Sequence, residues 1–351
     1  MRIRVLVGTA FCAALLVLGS LALAHPAESG YHLLNKYAFG AAPGATREYF
    51  DYITVDSAAR RVYLSHGAEV KVIDADSGKS VGEISGLKLC HGIALADEFG
   101  RGFITDGAAG KVVIFDLKTL KTIGTVDAAP DADSIVYDPA SKRVFSMNGD
   151  SHNSTVIDAK TGSIVKTIDL GAGPEFAVAD GKGTVYVNIE DKGEVVGIDT
   201  KTLEIKSHWP LAPAGGVTAL ALDREHHRLF SSGREPAYFV VVNTDTGKVV
   251  QSFPISAGVD ANAYDPGTGM IFVSTREGKL HIFHEDSPDK FSEVETVKTE
   301  YGAKTLGLDT KTHHVFVDTS DFGPPPPPTK ERPHPQPTPV MGTFRVLVYG
   351  K

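Results

Sequence analysis

The chain has 351 residues, of which 35 are Lys or Arg and 43 are Asp or Glu, so its formal net charge is −8. Such an acidic chain is a poor partner for nucleic acid or for an anionic membrane surface, and we predict neither interaction. Of its two cysteines, Cys12 and Cys90, an expected cleavage after Ala24 removes the first. A single remaining cysteine forms no disulfide within the chain, so the core must supply the stability.

Residues 1–24 have the pattern of a secretory signal peptide. Two arginines precede an apolar stretch over residues 5–18, and Ala22-Leu23-Ala24 has the small-x-small form of a cleavage site. The apolar stretch is too short for a transmembrane helix, and no later stretch is long enough. We therefore predict an exported protein, periplasmic or extracellular after cleavage near Ala24, with a single domain over residues 25–351.

Seven short strings recur along the remaining chain at nearly constant spacing. Each ends in an aspartate, and successive aspartates are 41 to 44 residues apart. These residues are Asp56, Asp97, Asp138, Asp180, Asp223, Asp265 and Asp309. A period of about 40 to 45 residues that is rich in short β-type runs is typical of propeller blades, which bury their faces only by stacking into a closed ring. The sequence predicts an all-β fold, a seven-bladed β-propeller with four-stranded blades.

Each repeat has the same order of elements. A polar turn such as Pro139-Ala140-Ser141-Lys142 follows the aspartate, and a second strand with one aromatic residue comes next. These aromatic residues are Tyr63, Phe103, Phe145, Tyr186, Phe230, Phe272 and Phe316. Their recurrence in register predicts a core between neighbouring blades. Turns such as Lys160-Thr161-Gly162-Ser163 then connect a third strand to a fourth.

The last repeat is one strand short. Its strands are predicted over residues 305–308, 314–317 and 344–349, after which the chain ends. Residues 31–38 have fourth-strand character and belong to no other repeat. We predict that this N-terminal strand closes the last blade, because closure removes open sheet edges.

A proline-rich insertion at residues 322–340 interrupts the last repeat between its second and third strands. It contains five consecutive prolines, 324–328, which favour an extended polyproline II conformation that cannot join a sheet. One interpretation is a disordered or semi-rigid surface loop. The other is an arm that docks a partner or a lid over the adjacent face.

The alternating strands and the turns of the type Asp-x-x-[Thr/Ser]-Gly-Lys resemble the YVTN-type β-propeller repeat family. The chain is also similar to the exported bacterial proteins of the YncE-like group. The segments Asp51-Tyr52-Ile53-Thr54-Val55-Asp56, Cys90-His91-Gly92-Ile93-Ala94 and Pro174-Glu175-Phe176-Ala177-Val178 carry the likeness, which covers residues 31–351. The resemblance implies the propeller fold but leaves the activity open, since related propellers include binding proteins, lactonase-like enzymes and redox-associated subunits. The multi-histidine copper set of nitrous oxide reductase is not matched.

One residue of each repeat is predicted to lie at one mouth of the central channel, five positions before the repeat aspartate. These residues are Asp51, Gly92, Asp133, Glu175, Thr218, Asp260 and Lys304, with His91 beside Gly92. Four carboxylates around one opening repel each other unless a cation or Lys304 compensates them. We predict a ligand pocket or cation site formed by Asp51, His91, Asp133, Glu175, Asp260 and Lys304. The alternative is that each carboxylate only accepts hydrogen bonds from its own loop.

Histidines suggest a metal site on the same face. His66, His91 and His152 map to this face on neighbouring blades, and together with Asp133 they form a candidate metal-binding set. Imidazole and carboxylate ligands suit zinc, copper, iron or nickel better than calcium, so a divalent metal ion is one candidate cofactor. The pairs His226-His227 and His313-His314 map to the opposite face, where we expect solvated turn residues.

The sequence contains no Gly-x-Ser-x-Gly, His-Glu-x-x-His or phosphate-binding glycine motif. We therefore expect a monomeric, non-catalytic scaffold that binds a small molecule or an envelope protein through the channel-mouth face. The alternative is a metal-dependent enzyme, either a lactonase-like hydrolase or a redox-associated propeller, that uses the same face.

Overall fold

A computed structural model describes residues 30–330 and 335–351, so the expected signal peptide lies outside the described residues. The described chain forms seven antiparallel sheets of four strands each. Its helices are three short 3-10 turns at Asp97–Phe99, Gly107–Ala109 and Glu190–Lys192. None of the helices in these two ranges has the length and apolarity to cross a bilayer. The prediction of an all-β, seven-bladed propeller is confirmed.

Blades are numbered in the order of their first strands, and blades one to three cover the first half of the ring. Blade one contains β2 (Phe50–Asp56), β3 (Arg61–His66), β4 (Glu69–Asp74) and β5 (Ser80–Ser85). Blade two contains β6 (Cys90–Ala96), β7 (Arg101–Asp106), β8 (Lys111–Asp116) and β9 (Thr122–Asp127). Blade three contains β10 (Ala132–Asp138), β11 (Arg143–Asn148), β12 (Asn153–Asp158) and β13 (Ile164–Asp169).

Blades four to six continue the same pattern. Blade four contains β14 (Pro174–Ala179), β15 (Thr184–Ile189), β16 (Glu194–Asp199) and β17 (Glu204–Pro210). Blade five contains β18 (Val217–Asp223), β19 (Arg228–Arg234), β20 (Ala237–Asn243) and β21 (Lys248–Pro254). Blade six contains β22 (Val259–Asp265), β23 (Met270–Thr275), β24 (Lys279–Ser287) and β25 (Lys290–Lys298).

Blade seven is built from both ends of the chain. It contains β26 (Leu306–Asp309), β27 (His314–Thr319) and β28 (Arg345–Gly350), and β1 (His32–Ala38) is its outer strand. Antiparallel pairing places Leu33 opposite Tyr349 and Tyr37 opposite Val346. The first strands contact one another in order around the channel, and β2 contacts both β6 and β26. The predicted closure by the N-terminal strand is therefore confirmed.

The core lies in the seams between blades. All seven recurring aromatic residues of the second strands are buried. Tyr63 of blade one belongs to the same apolar cluster as Ile93 and Phe115 of blade two. Phe103 of blade two packs in turn with Val144 of blade three. Each blade thus buries its face only against its neighbour, which is why the ring has to close.

Six of the seven repeat aspartates hold the turn after their first strand through the side-chain carboxylate. Asp56 Oδ1 accepts a hydrogen bond from the Ala59 backbone N–H at 2.8 Å, and Asp138 Oδ2 accepts one from Ser141 at 3.0 Å. The same kind of bond is made by Asp180, Asp223, Asp265 and Asp309. Carboxylates of this kind stabilise tight turns. The strongest repeat signal in the sequence therefore encodes the fold rather than a binding site.

Candidate functional site

A β-bulge interrupts the first strand of each of blades one to six close to the channel mouth. In β2, Phe50 pairs with His66 but Ile53 pairs with Leu64, so one extra residue stands between these pairs. Equivalent register shifts occur in β6, β10, β14, β18 and β22. The residues within these shifts include Asp51, His91, Asp133, Glu175, Thr218 and Asp260. Because a bulge re-aims side chains, the same irregularity in each blade turns one side chain towards the mouth.

A cavity of about 420 Å³ lies over this mouth, and we call it the channel-mouth cavity. Its volume falls in the range of roughly 300–1,000 Å³ that is usual for small-molecule sites. The structure brings all six predicted ligand-binding residues into its lining: Asp51, His91, Asp133, Glu175, Asp260 and Lys304. Their placement follows the repeat register, whereas their role in binding stays a prediction.

His91 joins two carboxylates on one side of the cavity, the acidic wall. Its Nδ1 lies 2.8 Å from Asp51 Oδ2 and 3.2 Å from Asp133 Oδ1. The Tyr49 hydroxyl lies 2.9 Å from the same nitrogen and 3.1 Å from Asp51 Oδ2. Although burial opposes the charged imidazole, the hydrogen bonds and charges of Asp133 and Asp51 raise the pKa of His91 to about 10. The charged imidazolium is therefore favoured between the two carboxyl groups at neutral pH.

Glu175 continues the acidic wall in blade four. The Thr218 hydroxyl donates a hydrogen bond to Glu175 Oε2 at 3.0 Å, and the Tyr52 hydroxyl lies 3.4 Å from Asp133 Oδ2. Burial in the cavity and the charge of Asp133 raise the pKa of Glu175 well above its ordinary value. Glu175 is therefore protonated over a wider pH range than a solvated glutamate, and its carboxyl group can then donate a hydrogen bond.

Cations gather around Asp260 on the opposite side, the basic wall. Lys304 Nζ and Arg234 Nη2 both form ion pairs with its carboxylate. Although burial opposes the charged form, Lys304 and Arg234 lower the pKa of Asp260 to about 2. Arg276 lines the same wall, half-buried. The mouth carboxylates were expected to need a compensating cation. Lys304, Arg234 and Arg276 of the chain itself supply most of this positive charge.

The mouth carboxylates do not simply stabilise their own loops. Asp51 contacts His91 of blade two and lies 3.8 Å from Lys304 of blade seven. Asp260 of blade six pairs with Arg234 of blade five and with Lys304. The mouth is consequently a network between blades, and the alternative prediction of local loop contacts was wrong for these residues.

The proline-rich insertion forms one side of the cavity. Pro337, Thr338 and Pro339 line it together with Phe322. Phe322 and Pro339 form an isolated antiparallel bridge, and the Gly323 N–H donates to the Thr338 carbonyl at 2.9 Å. The two ends of the insertion are therefore anchored to each other beside the mouth, on the face where the sequence placed it.

The predicted metal set of His66, His91, His152 and Asp133 does not converge. His66 is fully buried, with its Nε2 2.6 Å from Glu48 Oε1 and its ring stacked on Phe344. His152 is exposed in a turn with a φ of 54°. Loops between second and third strands lie further from the channel axis than first strands, so sharing a face does not bring these histidines together. Asp51, His91 and Asp133 do offer one ligand atom each within 4.8 Å of one another.

The lining residues that the sequence analysis did not single out include Tyr49, Tyr52, Arg234 and Arg276. The two arginines occupy the same position of the repeat. Arg234 follows Gly233 and Arg276 follows Thr275, and these two residues pair with the first residue of the first strand in their blades. Blades one to three have Gly67, Gly107 and Gly149 there. A Cβ on Gly107 would lie 2.8 Å from His91 Nε2, so glycine makes room for the imidazole. A comparison of this position among repeats could have identified the arginines.

Comparisons with known proteins support the resemblance only in part. No protein-family model matches the chain. A protein of Salmonella typhi named uncharacterized protein YncE is 30% identical over 151 residues, which is 40% of this chain and 41% of that protein. The chain therefore matches less than half the length of this relative. Antigen Lp49 of Leptospira interrogans is 23% identical over 322 residues, covering 83% of this chain and 68% of the antigen.

Solved structures show the same architecture at low sequence identity. The WD40 repeats of RRP9 superpose with a TM-score of 0.72 at 8% identity, over 93% of this chain and 99% of that one. A chain of Kuenenia stuttgartiensis hydrazine synthase gives a TM-score of 0.68 at 14% identity, over 79% of this chain and 96% of that one. Identities this low show the fold alone. The chain is thus a seven-bladed propeller with weak similarity to YncE-like proteins.

Proposed function

We propose that this protein is an exported scaffold that binds a small anionic molecule in the channel-mouth cavity. The observation that carries the proposal is the basic wall, where Arg234 and Lys304 pair with Asp260 and Arg276 lies beside them. Arg234 also pairs with Glu190 at 3.0 Å, and Lys304 lies 3.8 Å from Asp51. Among the described residues the Arg276 guanidinium has no carboxylate partner within ion-pair distance. A half-buried arginine without a counter-charge favours a ligand that brings one.

A carboxylate or phosphate monoester fits this wall best. Arginine binds both groups through two parallel hydrogen bonds, and the cavity keeps the pair partly away from water. The acidic wall offers a different chemistry, since Asp133 and Glu175 can hydrogen-bond hydroxyl groups. The rings of Tyr49, Tyr52 and Phe322 add apolar surface between the two walls. We therefore propose a ligand with one anionic group and several hydroxyl groups.

The test is a thermal-shift titration of the full mature chain. The probes are citrate, glucose 6-phosphate and, as the uncharged control, glucose. A ligand at about 100 times its Kd stabilises the folded state by about 2.7 kcal/mol. We expect an anionic probe to raise Tm and Arg276→Met to abolish the increase.

Lys298→Met is the matched control, because Lys298 is also in blade six but lies outside the cavity. This variant should retain the full response. Equal shifts with glucose and glucose 6-phosphate, or a response that survives Arg276→Met, would contradict the proposal.

Export is proposed on the signal-peptide pattern of residues 1–24. N-terminal sequencing of the protein recovered from its native compartment should begin at His25. A chain that retains Met1 would contradict export through this cleavage site.

A metal-dependent enzyme is the second candidate, and Asp51, His91 and Asp133 favour it because their ligand atoms meet in the cavity. One imidazole and two carboxylates suit a divalent transition metal with an open position for water. Metal binding there must displace the contacts that His91 Nδ1 makes with both carboxylates. One stoichiometric transition metal in the native protein, lost in His91→Gln, would favour this candidate over the scaffold.

A further inference from the structure

A second cluster of histidine and carboxylates lies at the seam of blades five and six, at the ends of strands that point away from the channel mouth. We call Asp223, His226 and Glu285 the seam cluster. Asp223 ends β18, His226 follows it in the turn before β19, and Glu285 lies in β24 of the next blade. His226 Nδ1 is 2.8 Å from Asp223 Oδ2 and 3.1 Å from Glu285 Oε1. The ligand atoms of all three side chains lie within 4.8 Å of one another.

Two members of the seam cluster depart from the repeat. The residue three positions after the repeat aspartate is Ala59, Gly100, Ser141, Gly183, Thr268 or Thr312 in the other blades. Only blade five has a histidine there, namely His226. Because the turn folds with small residues in the other six blades, the imidazole is not a requirement of the propeller.

Glu285 is the second departure. It follows His284, the residue paired with Met270 at the end of the β23–β24 ladder. Ala75, Leu117, Ala159, Thr200 and Thr244 occupy the equivalent position of blades one to five. A carboxylate thus replaces an uncharged residue in the one blade that faces His226. Two independent departures on neighbouring blades meet at one point.

The Glu285 carboxylate is buried, and its contacts with Tyr264 and His226 do not reach good hydrogen-bond geometry. Its side chain is 3% exposed, and among the described residues no hydrogen bond of good geometry reaches either oxygen. Tyr264 lies beside it, and burial together with this carboxylate raises the pKa of Tyr264. A buried carboxylate is costly unless a cation or strong donors satisfy it. His226 can offset one negative charge, whereas the cluster contains two carboxylates.

We propose that the seam cluster binds a divalent transition metal of the zinc class through His226 Nδ1 and one oxygen each of Asp223 and Glu285. Zinc binds imidazole nitrogen and carboxylate oxygen at about 2.0–2.2 Å, which keeps tetrahedral ligand atoms roughly 3.3 Å apart. The nitrogen-to-oxygen distances of 2.8 and 3.1 Å need only a small adjustment. His226 is 41% exposed, so water can reach the fourth position. The bound ion connects blade five to blade six.

The test is a Zn²⁺ titration of the chelator-treated full chain by calorimetry, with Tm as the second readout. We expect zinc to bind and to raise Tm, because ligand binding to the folded state stabilises it. His226→Ala and the isosteric Glu285→Gln should each weaken zinc binding by about tenfold or more. Both changes are mild for folding, since one lies in a partly exposed turn and the other preserves shape.

His227→Ala is the matched control, since His227 is the adjacent turn histidine and its Nδ1 lies 2.8 Å from Asp245 Oδ1, outside the seam cluster. His91→Gln is the control for zinc at the channel mouth. Both controls should retain the seam-cluster site. The proposal is overturned if the wild type binds no zinc, if His226→Ala and Glu285→Gln bind it like the wild type, or if His227→Ala loses as much. Zinc binding that only His91→Gln removes would also overturn it.

Discussion

Asp309 connects the last blade to the first as well as holding its own turn. It accepts hydrogen bonds from the Thr312 hydroxyl at 2.5 Å and from the Lys311 N–H at 3.1 Å. Arg60 of blade one reaches it with Nη1 at 2.7 Å. Although burial opposes the charge, hydrogen bonds from Thr312 and Ser57 and the contact with Arg60 lower the pKa of Asp309 to about 2. The ionised form is therefore favoured by folding.

This lowered pKa predicts how stability changes in acid. An unfolded aspartate has a pKa of about 3.9, so the contribution of Asp309 is fully present above that pH and is lost as the pH falls towards about 2. The lowering of the Asp309 pKa to about 2 corresponds to about 2 kcal/mol of stability. Asp309→Asn should lower the free energy of unfolding at pH 7 and flatten its dependence between these pH values, as urea titrations at each pH can show.

Asp150→Asn is the control, since Asp150 is an exposed turn residue. It should leave the acid dependence unchanged. A wild type whose stability is the same at pH 2.5 as at pH 5, or an Asp309→Asn variant with the wild-type acid dependence, would contradict the role given to Asp309.

The repeat register correctly predicted which first-strand residues lie at the channel mouth. It did not predict how far a residue of an outer loop lies from the channel axis. Asp133 and Asp260 were placed correctly in the channel-mouth cavity because every first strand enters the ring in the same way. His152 was grouped with them although it lies in an outer loop. The position of a residue in the repeat indicates its face of the propeller but not its distance from the channel axis. The ion pair of Asp260 with Arg234 joins two neighbouring blades, so it could not be predicted from the pattern of a single repeat.

At the scale of elements, the bulge of β6 depends on a glycine. A Cβ at Gly92 would lie 2.9 Å from the Asp133 carbonyl oxygen and 3.1 Å from the Ile135 nitrogen, both backbone atoms of β10. The Gly92 N–H donates to the Thr105 hydroxyl at 2.8 Å. Close approach of two first strands therefore leaves no room for a side chain at this position, although the sequence counts it among the mouth residues.

Gly92→Ala should destabilise the ring and disturb the mouth together. Forcing a methyl group against rigid backbone costs about 1–3 kcal/mol, and the displaced strand carries Asp133. We expect a lower urea midpoint with an unchanged slope, and weaker binding of any ligand found for the cavity. The control is Gly124→Ala in β9, where a Cβ meets nothing within 4 Å and the change should stay within about 0.5 kcal/mol. Equal effects of the two substitutions would show that the close approach is unimportant.

At the scale of the whole molecule, stability depends on the pairing of β1 with β28. β1 has mostly exposed side chains, so its contribution comes mainly from the backbone ladder with β28, although Tyr37 also packs against the core. The Tyr31 hydroxyl also donates to the His313 carbonyl at 2.9 Å, which fixes the start of the strand on blade seven. The sequence predicted this closure because the last blade was one strand short and one strand-like segment, residues 31–38, belonged to no other repeat.

Removing residues 1–38 should therefore weaken the ring and expose the edge of β28. At about 1 kcal/mol for each lost hydrogen bond, we expect a loss on the order of 5 kcal/mol in the free energy of unfolding. An unpaired, flat edge also favours strand addition between chains, so light scattering should show association that increases with concentration. A peptide of residues 30–38 should reverse the association, whereas a scrambled peptide should not. Unchanged stability together with no added association at any concentration would contradict this prediction.

The bulges have an evolutionary consequence. The mouth residues that they carry, such as Asp51 and Asp260, belong to none of the apolar clusters that join the blades. A mutation at one of them changes the chemistry of the mouth, whereas the packing that closes the ring depends on other residues of the same strand. If the mouth binds a ligand as proposed, a single substitution there would therefore change the ligand and leave the closure of the ring intact.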